Sequence, residues 1–150
     1  MIQTRGNVAR RLREGDRAVF TRTFTESDTM LFVGLSGDYN PHHTDAAFCE
    51  LTRFKRPIVP GFLVAAMATH IGGQWAVLAT RFHIDFIAPV YIGDTITCEA
   101  VVAEVNGNYK VRVDFTCVNT QSVVVIRGHF LGYPPKGKPL DHLKNGVGSK

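Results

Sequence analysis

Gly61-Phe62-Leu63-Val64-Ala65-Ala66-Met67-Ala68-Thr69-His70-Ile71-Gly72-Gly73-Gln74-Trp75 is the stretch on which the fold turns. Phe62, Leu63, Val64, Ala65, Ala66, Met67, Ala68 and Ile71 leave almost no polar side on a helix. A helix that is apolar all round is buried all round. Gly72-Gly73 is expected to end it. The apolar run from Ile58 to Ile71 is interrupted by Pro60, Gly61, Thr69 and His70, and it falls short of the ~20 residues a membrane span needs. The helix therefore belongs inside a globular core, and other elements must wrap it.

The residues that follow supply the wrapping. Ala79 to Ile87 reads as a strand, and Pro89-Val90-Tyr91-Ile92-Gly93-Asp94 as a turn into a second strand from Thr95 to Val105. Asn106-Gly107-Asn108 is a hairpin signal. Next, Val111, Val113, Phe115 and Cys117 alternate with Lys110, Arg112, Asp114 and Thr116, the period of a half-buried strand. A fourth strand runs from Val123 to Leu131.

Upstream, Arg17 to Phe24 reads as a strand, and Thr25 with Asp28 as a capping box. One or two helical turns follow over Met30 to Val33, broken by Gly34 to Asp38. Asn40-Pro41 reads as an N-cap with proline at the first helical position. A helix from His42 to Phe54 is expected, with Ala46, Ala47, Phe48 and Leu51 towards the core. Pro57 and Pro60 force an extended link. One strand, short helices, a central buried helix and four antiparallel strands joined by consecutive hairpins make an α+β arrangement. It is that of the hot-dog fold, an antiparallel sheet wrapped around a long central helix.

The chain of 150 residues has the length of one domain, with its core over about 12–133. The net charge is +4, but it sits at the ends. Residues 1–24 carry six Arg against two acids, and residues 134–150 four Lys against one, while the middle is net acidic. A nucleic-acid-binding protein carries its basic charge on a folded face, so no nucleic-acid partner is expected. Nor is a membrane one. The basic start lacks acids, but it is short and lacks Ser, and it fits a frayed terminus better than a transit peptide. The tail from Pro134 is likewise expected to be flexible. Cys49, Cys98 and Cys117 form no CxxC pair. An odd count suits a reducing cytoplasm, with each thiol a small buried hydrophobe.

The sharpest cluster of chemistry is Ser36-Gly37-Asp38-Tyr39-Asn40-Pro41-His42-His43. Asp38 and His43 on one tight loop can bracket a single water and share acid–base work. Asn40 is neutral and can fix the loop. Gly61 at a helix start can aim a backbone N–H at an oxygen that gains charge. The plainer alternative has Asp38 in an Asx-turn, Asn40 as a cap and His43 on the surface. His42 beside His43 does not make a metal site, because neighbouring helical residues face different ways and no further ligand motif accompanies them. His70 reads as a satisfied core histidine. Arg53, Lys55 and Arg56 read first as a solvated basic face and second as a partner for phosphates. No GxSxG elbow, GxGxxG or P-loop occurs, so serine-nucleophile, nucleotide-redox and ATP chemistries are not expected.

The Gly37-to-His43 stretch resembles the G-D-x-N-P-x-H motif of the (R)-specific enoyl-CoA hydratases and related MaoC-like dehydratases. Phe54-Lys55-Arg56-Pro57-Ile58-Val59-Pro60-Gly61-Phe62-Leu63 looks like that family's entry into its central helix. Phe86-Ile87-Ala88-Pro89-Val90-Tyr91-Ile92-Gly93-Asp94 looks like its strand and turn beyond the helix. The resemblance covers residues 17–131, in order.

It implies a hydro-lyase that adds water reversibly to trans-2-enoyl-CoA, giving (R)-3-hydroxyacyl-CoA. Asp38 and His43 match the catalytic pair, and Gly61 the amide facing the thioester oxygen. Thr69 matches a small hydroxyl near the site, with Asn40 in support. Pro60 and Phe62 fall on the substrate-binding surface. Two positions depart from the pattern: Pro60 stands where a His is frequent, and His42 where an aliphatic residue is usual. The resemblance implies no cofactor and no metal. It implies an acyl-CoA or acyl-carrier thioester as substrate, and a homodimer or higher homo-oligomer. A hot-dog thioesterase and a non-catalytic acyl-CoA-binding module are the alternatives, since fold alone does not decide function.

Overall fold

The computed structural model describes residues 11–145. The expectation of a frayed basic start falls mostly on residues 1–10, outside that range. Where the description begins, Leu12 is already core: it is buried, and its N–H donates to the Tyr109 hydroxyl at 2.9 Å.

Five strands form one antiparallel sheet, β1 (Arg17–Thr23), β2 (Leu78–Phe86), β3 (Thr95–Val105), β4 (Val111–Asn119) and β5 (Val124–Tyr133), in the order β1-β3-β4-β5-β2. The alternation read from β4 sets its inner face, where Val111, Val113, Phe115 and Cys117 are all buried. The register Val113↔Phe130, Cys117↔Ile126 and Cys98↔Cys117 stacks apolar residues from three strands into one layer. The three cysteines are buried free thiols. An antiparallel sheet with one apolar and one solvated face curls over whatever covers the apolar face. Here the cover is α4 (Gly61–Gln74), so this is the hot-dog arrangement.

One link differs from consecutive hairpins. After β2, at one edge of the sheet, the chain crosses to β3, near the opposite edge. Backbone bonds carry residues 87–94 across: Ile87 N–H to the Val125 carbonyl, Val59 N–H to Val90, and Gly93 N–H to Phe24. Pro89 has no N–H for a ladder and forbids a tight hairpin at that point.

Helix α1 (Glu26–Ser36) starts at the Thr25 capping box but runs three turns, through Gly34. Its end is Gly37, left-handed at φ 74°, whose N–H caps the Val33 carbonyl. A left-handed residue stops a helix more surely than a glycine inside it. The expected helix from His42 to Phe54 is two short ones, α2 (Pro41–Thr44) and α3 (Ala46–Glu50). Asp45 separates them. Its side chain accepts from Phe48 N–H and starts a new cap, a local bond that competes with continuing the first helix. Cys49, not Ala46, Ala47 or Leu51, is the core contact of α3, and Leu51 is 87% exposed.

Helix α4 is buried on one side only. Val64, Ala65, Met67, Ala68, Ile71 and Gly72 face the sheet, while Phe62, Ala66, Thr69 and Gly73 form an exposed stripe. Five strands wrap half of the helix, and the other half is exposed. Gly72 and Gly73 lie inside its last turn, and the helix ends at Trp75. Beyond β5 the chain is not simply a tail: α5 (Lys138–Asn145) forms, with Leu140 buried.

Candidate active site

Each residue of the Asp38–His43 loop is placed by a local bond. Ser36 Oγ donates to the Phe32 carbonyl at 2.7 Å and accepts Asp38 N–H at 3.2 Å. Asp38 Oδ1 accepts Asn40 N–H at 3.4 Å, an Asx-turn. Asn40 caps α2, its Oδ1 accepting His42 N–H at 3.1 Å, with Pro41 at the first helical position. His42 Nδ1 meets the same oxygen at 2.9 Å, so the ring donates there too. That ring is flanked edge-on by Phe48 and Phe54.

The turn aims His43 inwards. Its Nδ1 lies 2.8 Å from the Ile58 carbonyl. A carbonyl only accepts, so Nδ1 carries the proton and Nε2 is the free nitrogen. Nε2 stands 3.6 Å from Asp38 Oδ2, too far for a direct hydrogen bond and suited to a shared water. The His43 side chain is 10% exposed and that of Asp38 46%. The imidazole is therefore buried and held in place, and the carboxylate opens to solvent.

The opposing side is the start of α4. Ile58 N–H donates to the His42 carbonyl at 2.9 Å and Val59 N–H to the Val90 carbonyl at 2.7 Å, holding the extended link taut between loop and sheet. Pro60 occupies the N-cap without a side-chain cap. The N–H groups of Leu63 and Val64 turn back to the Pro60 carbonyl. Those of Gly61 and Phe62 are left as the leading unbonded donors, at the positive end of the helix dipole. Gly61 packs closely on Phe86: a Cβ there would lie 2.6 Å from Phe86 Cε1, so that half-exposed ring would have to shift.

Asp38, Gly61 and Phe62 share one cleft of about 310 Å³ with Arg53, Phe54 and Phe86. A carboxylate and the start of α4 thus meet over a cavity otherwise lined by Arg53 and apolar side chains. His43 does not line the cleft but lies 3.6 Å from Asp38, which does; Asn40 and Pro60 are framework. Thr69 is not brought to this cleft. It lies eight residues on, about 12 Å along the helix axis, on the exposed stripe with its hydroxyl bonded to the Ala66 carbonyl.

The wall also includes Arg53, which the sequence suggests first as part of a solvated face, and the segment from Phe86 to Val90, which it suggests only as a strand and turn. The break at Pro89 after an alternating strand was the available signal for the second. Among the described residues no group of three or more His, Cys, Asp or Glu could hold a metal ion. His42 is occupied by Asn40 instead.

A family model described as the MaoC like domain matches residues 9–125. The chain is 34% identical to an (R)-specific enoyl-CoA hydratase of Rhodospirillum rubrum, over 78% of this chain and 84% of the relative. It is 32% identical to the enzyme of the same name from Aeromonas caviae, over 75% and 87%. Its structure is similar to that of an (R)-hydratase from A. caviae, with TM-score 0.78 and 27% identity over 83% of this chain and 98% of that one. An R-hydratase from Pseudomonas aeruginosa aligns with TM-score 0.78 and 29% identity, over 84% of each chain. The match to the family model runs from before β1 into β5 and takes in the loop, the cleft and the central helix, so the chain belongs to the MaoC-like family of hydratases and dehydratases.

Proposed function

We propose that this protein is a hydro-lyase that adds water reversibly to a trans-2-enoyl thioester, giving the (R)-3-hydroxyacyl thioester. The observation that carries the reading is the gap of 3.6 Å between His43 Nε2 and Asp38 Oδ2, on a cleft whose far wall begins at the free Gly61 amide. A water in that gap donates one hydrogen to the imidazole nitrogen and one to the carboxylate. Its oxygen then faces outwards, with a lone pair directed into the cleft.

As that oxygen bonds to Cβ, the carboxylate of Asp38 takes one proton, and the π electrons move to the thioester oxygen. The Gly61 N–H and the dipole of α4 hold the resulting enolate-like charge. Asp38 returns the proton to Cα as the carbonyl reforms. One water is thus divided into hydroxyl at Cβ and hydrogen at Cα, and Asp38 ends as it began. No electrons are gained or lost overall, so the step calls for no redox cofactor. The (R) configuration is supported by the names of the relatives.

The apolar residues left in the open support assembly with at least a second copy. Phe62 on α4 is 66% exposed, and Leu31 and Leu35 on α1 are 66% and 80% exposed. Thr69 lies on the open stripe of α4, so any part it takes in the site comes with the partner copy. Among the described residues no helix is long and apolar enough to cross a membrane. Three buried free thiols support a reducing compartment such as the cytoplasm.

The test is loss of absorbance when crotonyl-CoA is hydrated. Asp38→Asn keeps the shape of the loop and removes the base, and turnover should fall by ~10²–10⁴ with an unchanged melting curve. Near-wild-type turnover in that variant overturns the assignment. So does thiol release from a saturated acyl-CoA at a comparable rate, which marks a thioesterase.

A further inference from the structure

We propose that His42 is a positioning residue for the hydration: its imidazole locks the Asn40 side chain and, through the Ile58 carbonyl, keeps Nε2 of His43 turned towards Asp38. The inference rests on the hydratase reading and names a group that works behind its water site.

Two donors of one residue meet one acceptor. Asn40 Oδ1 accepts the His42 N–H at 3.1 Å and lies 2.9 Å from His42 Nδ1. The first bond fixes Oδ1 as an acceptor, so the ring nitrogen carries a proton and donates to it as well. The backbone bond alone is the ordinary cap of a helix start. The ring bond adds a second restraint on the rotation of the Asn40 side chain. Helix α2 is only four residues long. A helix of that length does not hold its own geometry, so the bonds at its start set it.

The ring is itself held. It is half-buried, edge-on to Phe48 of α3 at 5.0 Å between centres and to Phe54 at 5.6 Å. Phe54 lines the cleft. Loop, α3 and cleft wall are thus joined at one imidazole. An aliphatic side chain could fill the same space but would leave Asn40 with the backbone bond alone.

The backbone of residue 42 carries the restraint onward. Ile58 N–H donates to the His42 carbonyl at 2.9 Å, and the Ile58 carbonyl accepts from His43 Nδ1 at 2.8 Å. The two bonds close a ring through His42, His43 and Ile58. A shift of His42 therefore moves the acceptor that fixes the tautomer and orientation of His43, and with them the 3.6 Å gap to Asp38 Oδ2. The buried Cys49 thiol, 3.4 Å from the same His42 carbonyl, supports it from the core side.

Two substitutions take the two properties of the ring apart. His42→Leu keeps the apolar volume and removes the donor. His42→Asn keeps a donor at the position of Nδ1 and removes the rest of the ring. With crotonyl-CoA, H42L should lower kcat about tenfold, the scale of one well-placed hydrogen bond, with KM within about twofold. H42N should restore kcat to within about threefold of the wild type, although it melts at a lower temperature. A merely structural role gives the reverse order, with H42L near the wild type and H42N impaired, and that order overturns the proposal. If H42L does not fold, H42N decides alone: kcat lowered about tenfold in this donor-bearing variant overturns the proposal, and kcat near the wild type supports it.

Imidazole NMR of protein labelled in its histidine nitrogens separates the proposal from the hydratase reading. In the wild type His43 should show one protonated nitrogen, Nδ1, whose proton exchanges slowly with water. In H42L that proton should exchange about tenfold faster, and in H42N it should stay slow. This pattern supports the positioning role even in a protein that hydrates no enoyl thioester. Exchange at His43 that is unchanged in H42L overturns it.

Discussion

The sheet and the arm that carries Asp38 are built on opposite principles. In the sheet, position is over-determined. Each inward residue of β4 is set by the alternation of its own strand, by register with β3 and β5, and by burial among the others. In the arm from Thr25 to Pro60 each turn hangs on one or two polar bonds: Thr25 with Asp28 starts α1, Asn40 starts α2, Asp45 starts α3, and the Ile58 carbonyl holds the ring of His43. The sheet therefore absorbs small changes in geometry and resists them collectively. The arm converts a single lost bond into a displaced catalytic group. A rigid support with its reacting loop held by a few local bonds is the division of labour expected of a site on a scaffold.

That contrast can be broken at several points. The largest effect is expected in the sheet: Phe115→Ala removes a fully buried ring and should cost about 3–5 kcal/mol, read from the denaturant midpoint, while the protein that remains folded keeps its kcat. A cost under about 1 kcal/mol would mean that the layer is not the shared core described above.

Gly61 joins the two regions. Gly61→Ala places a methyl against the Phe86 ring and should cost about 1–3 kcal/mol through overpacking. Its kcat/KM should fall further than stability explains, because the amide moves with the helix start. An unchanged kcat/KM would free Gly61 of its role at the thioester oxygen.

Asn40→Ala sharpens the comparison from the other side. Loss of this cap should cost only about 1 kcal/mol. It should nevertheless lower turnover of crotonyl-CoA about tenfold or more, because His43 is set by the helix that Asn40 starts. A drop in melting temperature without a drop in turnover would show that the arm is as forgiving as the sheet.

The smallest effect concerns Asp28, whose carboxylate accepts the Thr25 N–H in the capping box. That bond is the main cause holding its pKa below the ordinary 3.8; burial pulls the other way, and the Thr25 side chain and Arg22 assist. A depressed pKa means stability present above 3.8 and lost as pH falls through the folded value. Asp28→Asn should therefore flatten the acid limb of the stability curve below that pH and leave neutral turnover in place. An unaltered acid limb would remove Asp28 from the account.

Much of this molecule was legible in the chain. Strand β4 was readable residue by residue, because a period of two and a buried face leave one register. The capping box and the Asn40-Pro41 start were readable because their bonds span three residues or fewer. What was misread depended on competition. The stretch Gly34 to Asp38 reads as the break after α1, but it does not tell which residue ends the helix; the left-handed Gly37 does, and Gly34 stays helical. Asp45 was passed over as one more helical residue, yet its side chain preferred to begin a new cap. The apolar residues at 46, 47 and 51 suggested a core face, and only Cys49 reached the core. Among the site residues, Asp38 and Gly61 were found from their motifs, whereas Arg53 as a wall of the cleft was decided by where the link before α4 runs.

The sequence by itself determined the elements and the chemistry available to them: a helix too apolar to leave exposed, strands of period two, a carboxylate and an imidazole five residues apart, and a glycine at a helix start. Those properties are local, and local bonds enforce them. Only the tertiary structure decided that β2 lies beside β5, that Asp38 faces Gly61 across one cleft, that His43 turns Nε2 towards Asp38, and that half of the central helix remains uncovered. Each of these joins residues distant in the chain, and the free energy that selects them comes from burial and hydrogen bonds that exist only once the sheet has closed over the helix.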